Sequence, residues 1–117
     1  MKKYLDIFQD LQVEFAFYCK PKHLEEIFFS NNTLFHSASI IKVPILLSWI
    51  ELEKSGALSR DALCDLDGEP QVEGAGFSTL FHTRQITYND VLLMMIATSD
   101  NLCTNLVIRE IGLERLQ

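Results

Sequence analysis

Two stretches of this chain, Ile40–Leu52 and Val91–Ala97, are apolar on nearly every helical face. In the first, Ile40, Ile41, Val43, Ile45, Leu46, Leu47, Trp49, Ile50 and Leu52 leave no polar stripe. A helix of that kind is buried on all sides. Charges arrive only at Glu51, Glu53 and Lys54, and Gly56 stands where a C-cap glycine belongs. Pro44 falls in the first turn, where its missing N–H costs little. Neither stretch approaches the roughly 18 apolar residues of a membrane span. With 117 residues the chain is one domain at most, and a chain this short buries about 60–70% of its surface on folding. Two central helices then lack neighbours. Leu113–Gln117 reads as the first turn of another helix, so the chain is expected to be part of a larger fold. Its uncovered faces predict self-association, or pairing with a missing C-terminal half.

The remaining segments are ordinary by comparison. Tyr4, Leu5, Ile7, Phe8 and Leu11 keep helical spacing, which predicts a short amphipathic helix over 4–11. Val13, Phe15, Phe17 and Cys19 alternate with Glu14, Ala16 and Tyr18 in a half-buried strand. Lys20-Pro21-Lys22 turns the chain, and 26–30 returns as a second strand ended by Asn31-Asn32. Residues 64–78, with Asp65, Asp67-Gly68, Pro70, Gly74 and Gly76, read as a loop. Thr87-Tyr88-Asn89-Asp90 resembles a capping box ahead of the helix over 91–97. Asn101–Ile111 is an amphipathic helix stopped by Gly112.

Ten basic against sixteen acidic residues give a formal charge of −6. That excludes a nucleic-acid groove or an anionic membrane surface as partner, since both need a basic face. Hydrophobic residues at 48% exclude wholesale disorder. Met1-Lys2-Lys3 could open a signal peptide, but Asp6, Gln9 and Asp10 interrupt the apolar run that should follow. As written, the chain is expected in the cytoplasm. Cys19, Cys64 and Cys103 form neither a disulfide framework nor a zinc pattern, and read as buried or half-buried free thiols.

The chemistry begins at Ser39-Ile40-Ile41-Lys42. Positions i and i+3 share a helix face, with Cβ atoms about 5–6 Å apart. A serine is a poor nucleophile without a base, and a lysine supplies one if its pKa is depressed. Free N–H groups at the helix N-terminus add donors for a developing oxyanion. Alone this spacing is weak: an SxxK arises by chance about once in every two chains of this length. Ser99-Asp100-Asn101 is rarer, at about 2% of such chains. Its plain structural reading is an N-cap for the helix that follows.

Together, Ser39-x-x-Lys42 and Ser99-Asp100-Asn101 resemble the class A β-lactamases and the wider penicillin-interacting serine hydrolases, whose signatures are SxxK, SDN and KTG. The motif serines lie sixty residues apart, the gap typical of class A enzymes. Phe35-His36-Ser37-Ala38-Ser39-Ile40-Ile41-Lys42-Val43-Pro44 is similar to the family's run into the nucleophile helix. Gly74-Ala75-Gly76, Ile86-Thr87 and Met95-Ile96-Ala97-Thr98 match its glycine loop, its helix start and its apolar approach to SDN.

The resemblance implies a partial β-lactamase-like α+β fold. Residues 1–34 would be the N-terminal helix and two-stranded hairpin, and 35–117 the front of an all-helical subdomain. It further implies Ser39 as acylated nucleophile and Lys42 as its proton partner. Ser99 would relay a proton toward the leaving nitrogen, Asn101 would bind Lys42 and the substrate amide, and Asp100 would tie loop to helix. For deprotonating the serine, the family offers either the lysine or a glutamate acting through water. The substrate would be a β-lactam or a related acyl amide, with no cofactor and no metal. Family members are usually exported bacterial proteins.

The departures are specific. The deacylating glutamate and the Lys-Thr-Gly strand, with its oxyanion donor, would lie beyond Gln117. Positions paired by a disulfide in some members are Leu46 and Leu92 here. The expected function is therefore that of a β-lactamase-like serine hydrolase whose chain, read as truncated, lacks full activity. A D-alanyl-D-alanine peptidase or glutaminase relative would share the SxxK chemistry, and a non-catalytic, self-associating remnant is the third reading. His36, three before Ser39, has no acid placed to orient it and reads as a loop residue. Asp65, Asp67 and Glu69 lack the following carboxylate of a calcium loop and read as solvated.

Overall fold

The helix start at Lys42 and the two helices flanking Ser99 decide where every polar side chain of interest can reach. A computed structural model describes residues 6–7, 15–20, 22–23, 27–30 and 34–116. Its contacts separate two units, Met1–His36 and Ser37–Gln117.

In the first unit, β1 (Ala16–Cys19) pairs antiparallel with β2 (Ile27–Ser30), placing Phe17 opposite Phe29 and Cys19 opposite Ile27. Phe17 and Cys19 are half-buried while Ala16 and Tyr18 are exposed, the alternation expected of this strand. Lys22 and His23 form a turn between the strands. Of the helix expected over 4–11, only Asp6 and Ile7 are described, and both are helical. The rest of that helix, Val13, Glu14, Pro21, Glu26 and Asn31-Asn32 lie outside the described residues.

The second unit is built on α1 (Lys42–Lys54), α2 (Tyr88–Ala97) and α3 (Asn101–Ile111). Helix α1 begins at Lys42 and not at Ile40, because a 3-10 turn over Ala38–Ile41 leads into it. It ends as Gly56 predicts: the Gly56 N–H donates to Glu53 O at 2.9 Å and Ala57 N–H to Leu52 O at 2.9 Å, with Gly56 at φ 78. Those paired bonds are a Schellman cap, which needs the left-handed residue. Lys42, Ile45 and Trp49 form its buried stripe.

Helix α2 starts three residues earlier than the apolar run, because the Thr87 side chain caps it by accepting from the Asp90 N–H. Its buried residues Tyr88, Val91, Leu92 and Met95 share one core with Trp49, whose ring lies 4.8 Å from that of Tyr88. Leu102, Cys103, Leu106, Val107 and Ile111 of α3 complete the core.

The structure corrects two expectations here. Residues 64–78 are not simply a loop: β3 (Leu63–Asp65) pairs antiparallel with β4 (Gln85–Thr87), and Leu66–Gly68 and Ser78–Leu80 are 3-10 turns. Three-residue strands are too short to display a period of two. Pairing continues past them, with the Tyr88 N–H on Ala62 O and the Asn89 N–H on Arg60 O, which anchors the start of α2. Nor are the apolar helices buried on every side. Ile40 is 75% exposed, Leu47 58% and Leu93 60%, with Val43 and Ile96 beside them.

The acidic residues of the 64–69 stretch have protein partners. Asp65 accepts from the Asp67 N–H, Asp67 pairs with Arg84, and Glu69 with Arg109. Cys64 and Cys103 are free, buried thiols and Cys19 is a half-buried one. Burial pushes the pKa of both buried thiols up, that of Cys103 to about 12, so neither is a ready thiolate.

Candidate active site

Helix α1 carries Lys42 inward from its first turn, and the α2–α3 corner carries Ser99 and Asn101 toward it. Lys42 is 5% exposed. Its Nζ lies 2.6 Å from Ser99 O, 2.8 Å from Ser99 Oγ, 2.9 Å from Asn101 Oδ1 and 3.2 Å from Ser39 Oγ, all within hydrogen-bonding reach. The Ser99 hydroxyl donates to Ser39 Oγ at 2.7 Å, which closes a triangle of two hydroxyls and one amine. A cavity of about 360 Å³ opens beside this triangle, walled by Ile40, Val43, Met95 and Ile96. A larger cleft, about 720 Å³, runs along the end of α3 past Glu69 and Arg115, and it holds no nucleophile paired with a base.

Two residues at the site hold unfavourable backbone. Among the described residues, the non-glycine positions with positive φ are Ala38 at 45° and Ser99 at 57°. Left-handed backbone costs a residue with a Cβ about 1–2 kcal/mol. Ala38 leads directly into Ser39, and the turn at Ser99 aims both its carbonyl and its hydroxyl at Lys42. Strain of this kind persists only where surrounding contacts over-determine it.

At Ser99, Asp100 supplies those contacts. It is 2% exposed, and its Oδ2 accepts from the N–H groups of Phe77 and Ser78, each at 2.9 Å. Its Oδ1 accepts from the Ser78 hydroxyl at 2.8 Å and from the Cys103 N–H at 3.0 Å, the latter being the N-cap of α3. The glycine loop closes over it. Gly76 sits at φ 106, and a Cβ there would lie 2.5 Å from the Asp100 Cα. Gly74, at φ 116, packs against the Asn101 amide, whose Nδ2 donates to Glu73 O at 3.3 Å and so leaves Oδ1 facing Lys42.

Electrostatics follow from this burial. Burial pushes the Lys42 pKa below its ordinary value, and the Asp100 charge opposes that shift. For Asp100, burial pushes upward, but the N–H of Cys103 and the N–H and hydroxyl of Ser78 bring the carboxyl below its ordinary value.

The sequence profile of the β-lactamase enzyme family matches residues 2–117. The chain belongs to that family. No curated protein matches it in sequence. Among solved structures it is similar to PBP-A, with 25% identity and a TM-score of 0.68 over 74% of this chain and 33% of that one. A PBP-A variant solved as an acyl-enzyme complex with penicillin G shares its fold, with a TM-score of 0.83 and 21% identity over 98% of this chain and 46% of the other. A β-lactamase from Sphaerobacter thermophilus DSM 20745 is 25% identical, with a TM-score of 0.73 over 79% of this chain and 35% of that one. The chain thus spans between a third and about half of the solved chains it matches.

Ser39, Lys42, Ser99 and Asn101, expected together from two short motifs, stand within one hydrogen-bonded cluster. His36 is exposed and falls in the first unit. Sequence reasoning missed the Ser99 carbonyl and Ser78. No side-chain pattern announces a carbonyl turned by a positive φ, and Ser78 lies 22 residues from its partner.

Proposed function

We propose that this chain performs acyl transfer from a β-lactam, or a related acyl amide, to Ser39. The arrangement around Lys42 carries the reading. Four acceptor atoms surround Nζ, whereas an ammonium has three protons and a neutral amine two. Ser99 O and Asn101 Oδ1 can only accept. A neutral Lys42 spends its two protons on them, and its lone pair is left facing the hydroxyls. The Ser99 hydroxyl is engaged on Ser39 Oγ, so the Ser39 proton is directed to Lys42.

In the proposed step Ser39 Oγ attacks the lactam carbonyl carbon and its proton passes to Lys42. The ring C–N bond breaks, and the nitrogen takes a proton through Ser99. The product is an acyl-serine carrying the whole lactam mass. Membership of the β-lactamase family supports this reaction class, as does the depressed Lys42 pKa. The 117 residues contain no Lys-Thr-Gly sequence. By themselves they are therefore expected to acylate slowly and to turn over little, since loss of one oxyanion donor costs about 10²–10³ in rate.

Exposed Ile40, Val43, Leu47, Leu93 and Ile96 support self-association of the chain in solution. The test of function is intact mass after incubation with penicillin G, with Ser39→Ala as the blank. A stoichiometric adduct absent from the variant is expected. No adduct after prolonged incubation at millimolar penicillin would overturn the reading.

A further inference from the structure

Three backbone N–H groups and the hydroxyl of Ser78 donate to Asp100, with the weak donor of the Cys103 thiol beside them. Ser78 is wholly buried and gives both its N–H and its hydroxyl to this one carboxylate. We propose that Ser78 is a positioning residue for the Ser39–Lys42 pair, acting through Asp100; the proposal rests on the acyl-transfer reading above.

The connection runs through the backbone. Asp100 lies between Ser99 and Asn101, which together provide three of the four acceptors around Lys42 Nζ. The left-handed turn at Ser99 is held where Asp100 meets the loop on one side and the start of α3 on the other. Each carboxylate oxygen has two N–H or O–H donors. Removing the hydroxyl leaves Oδ1 to Cys103, through its N–H and thiol, with no hold from the 77–78 segment on that oxygen, so the carboxylate can rotate and the turn it braces can relax. A shift of a few tenths of an ångström at Ser99 or Asn101 would redirect the amine lone pair away from Ser39.

The same hydroxyl favours the ionised form of Asp100. Among the described residues, the titratable groups that interact with this carboxylate are Lys42 from α1 and the Cys103 thiol from α3. The 77–78 segment presents only N–H groups and the Ser78 hydroxyl to it. Losing a donor raises the Asp100 pKa, so its protonated form extends to higher pH. A residue that merely filled space would lower reactivity without moving that carboxyl's titration.

The experiment compares the wild-type chain, Ser78→Ala and Ser78→Thr. Penicillin G acylation is followed by intact mass at pH 8, and the Asp100 carboxyl is titrated by carbon NMR from pH 2 to 7. For Ser78→Ala the expected result is acylation about tenfold slower, with the Asp100 midpoint moved up by about one pH unit. Ser78→Thr, which restores a hydroxyl, should recover both. Should the alanine variant not fold, Ser78→Cys, which keeps the volume and weakens the donor, is scored in the same way. A folded variant with the wild-type rate and midpoint overturns the proposal, as does a loss of rate with the midpoint unmoved. If the wild-type chain is not acylated at all, the acyl-transfer reading fails. The Asp100 midpoints then still decide whether Ser78 controls that carboxylate.

Discussion

Ser99 meets Lys42 twice: its carbonyl lies 2.6 Å from Nζ and its hydroxyl 2.8 Å. One residue in a left-handed turn thus gives the amine a group that only accepts and a group that can also pass on a proton. The chemical consequences of this double contact can be measured.

Lys42→Ala should reduce penicillin acylation of Ser39 by about 10²–10⁴, the usual contribution of a positioned base. Lys42→Arg should be no better, because a guanidinium keeps its proton. Intact mass against time reads both. An arginine variant that acylates at the wild-type rate would remove Lys42 from the proton path.

The acylation rate should rise with pH and level off below 10.5, the ordinary lysine value, because burial lowers the Lys42 pKa and the neutral amine is the active form. Stability should follow the same sign. Between the lowered folded pKa and 10.5 the unfolded chain binds more protons at Lys42, so this residue's contribution to stability increases with pH across that window. Rates from pH 6 to 10 test the first statement, and a flat profile counts against it.

Two glycine substitutions should differ sharply. Gly56 has positive φ but open space around it, so Gly56→Ala should cost about 1–2 kcal/mol. Gly76 combines positive φ with the main chain of Asp100 directly against it. Gly76→Ala should cost clearly more and also lower acylation, since the loop must move off the carboxylate. Urea denaturation of both variants decides the order, and equal losses would show that the Gly76 contact is soft.

The chain should self-associate at micromolar concentration through the face bearing Ile40, Val43 and Leu47. Val43→Glu with Leu47→Glu should favour the monomer, because both side chains point to solvent from α1. Sedimentation velocity across a concentration series is the measurement. A compact wild-type monomer throughout would sink the expectation.

Much of the architecture was legible locally. Gly56 and Gly112 marked helix ends, Thr87 and the Ser99-Asp100 pair marked helix starts, and the alternation around Phe17 and Cys19 marked a strand. These are short-range effects: a cap or a pleat is made by residues within a few positions of one another. The spacing of Ser39 and Lys42 was of the same kind, since one helical turn determines which side chains share a face.

What remained required partners distant in sequence. The β3–β4 ladder joins residues about twenty positions apart, and neither strand is long enough to declare itself. The apolar helices looked uniformly buried because hydropathy cannot tell which face finds a neighbour. Packing buried Lys42, Ile45 and Trp49 and left Ile40 and Leu47 outside. At the site, sequence alone determined the types of group and their order along the chain. Tertiary structure decided that the Ser99 carbonyl turns inward and that Ser78 and Cys103 meet on one carboxylate. The reason is physical: a left-handed turn in a residue that disfavours it is stable only when contacts from several segments hold it at once.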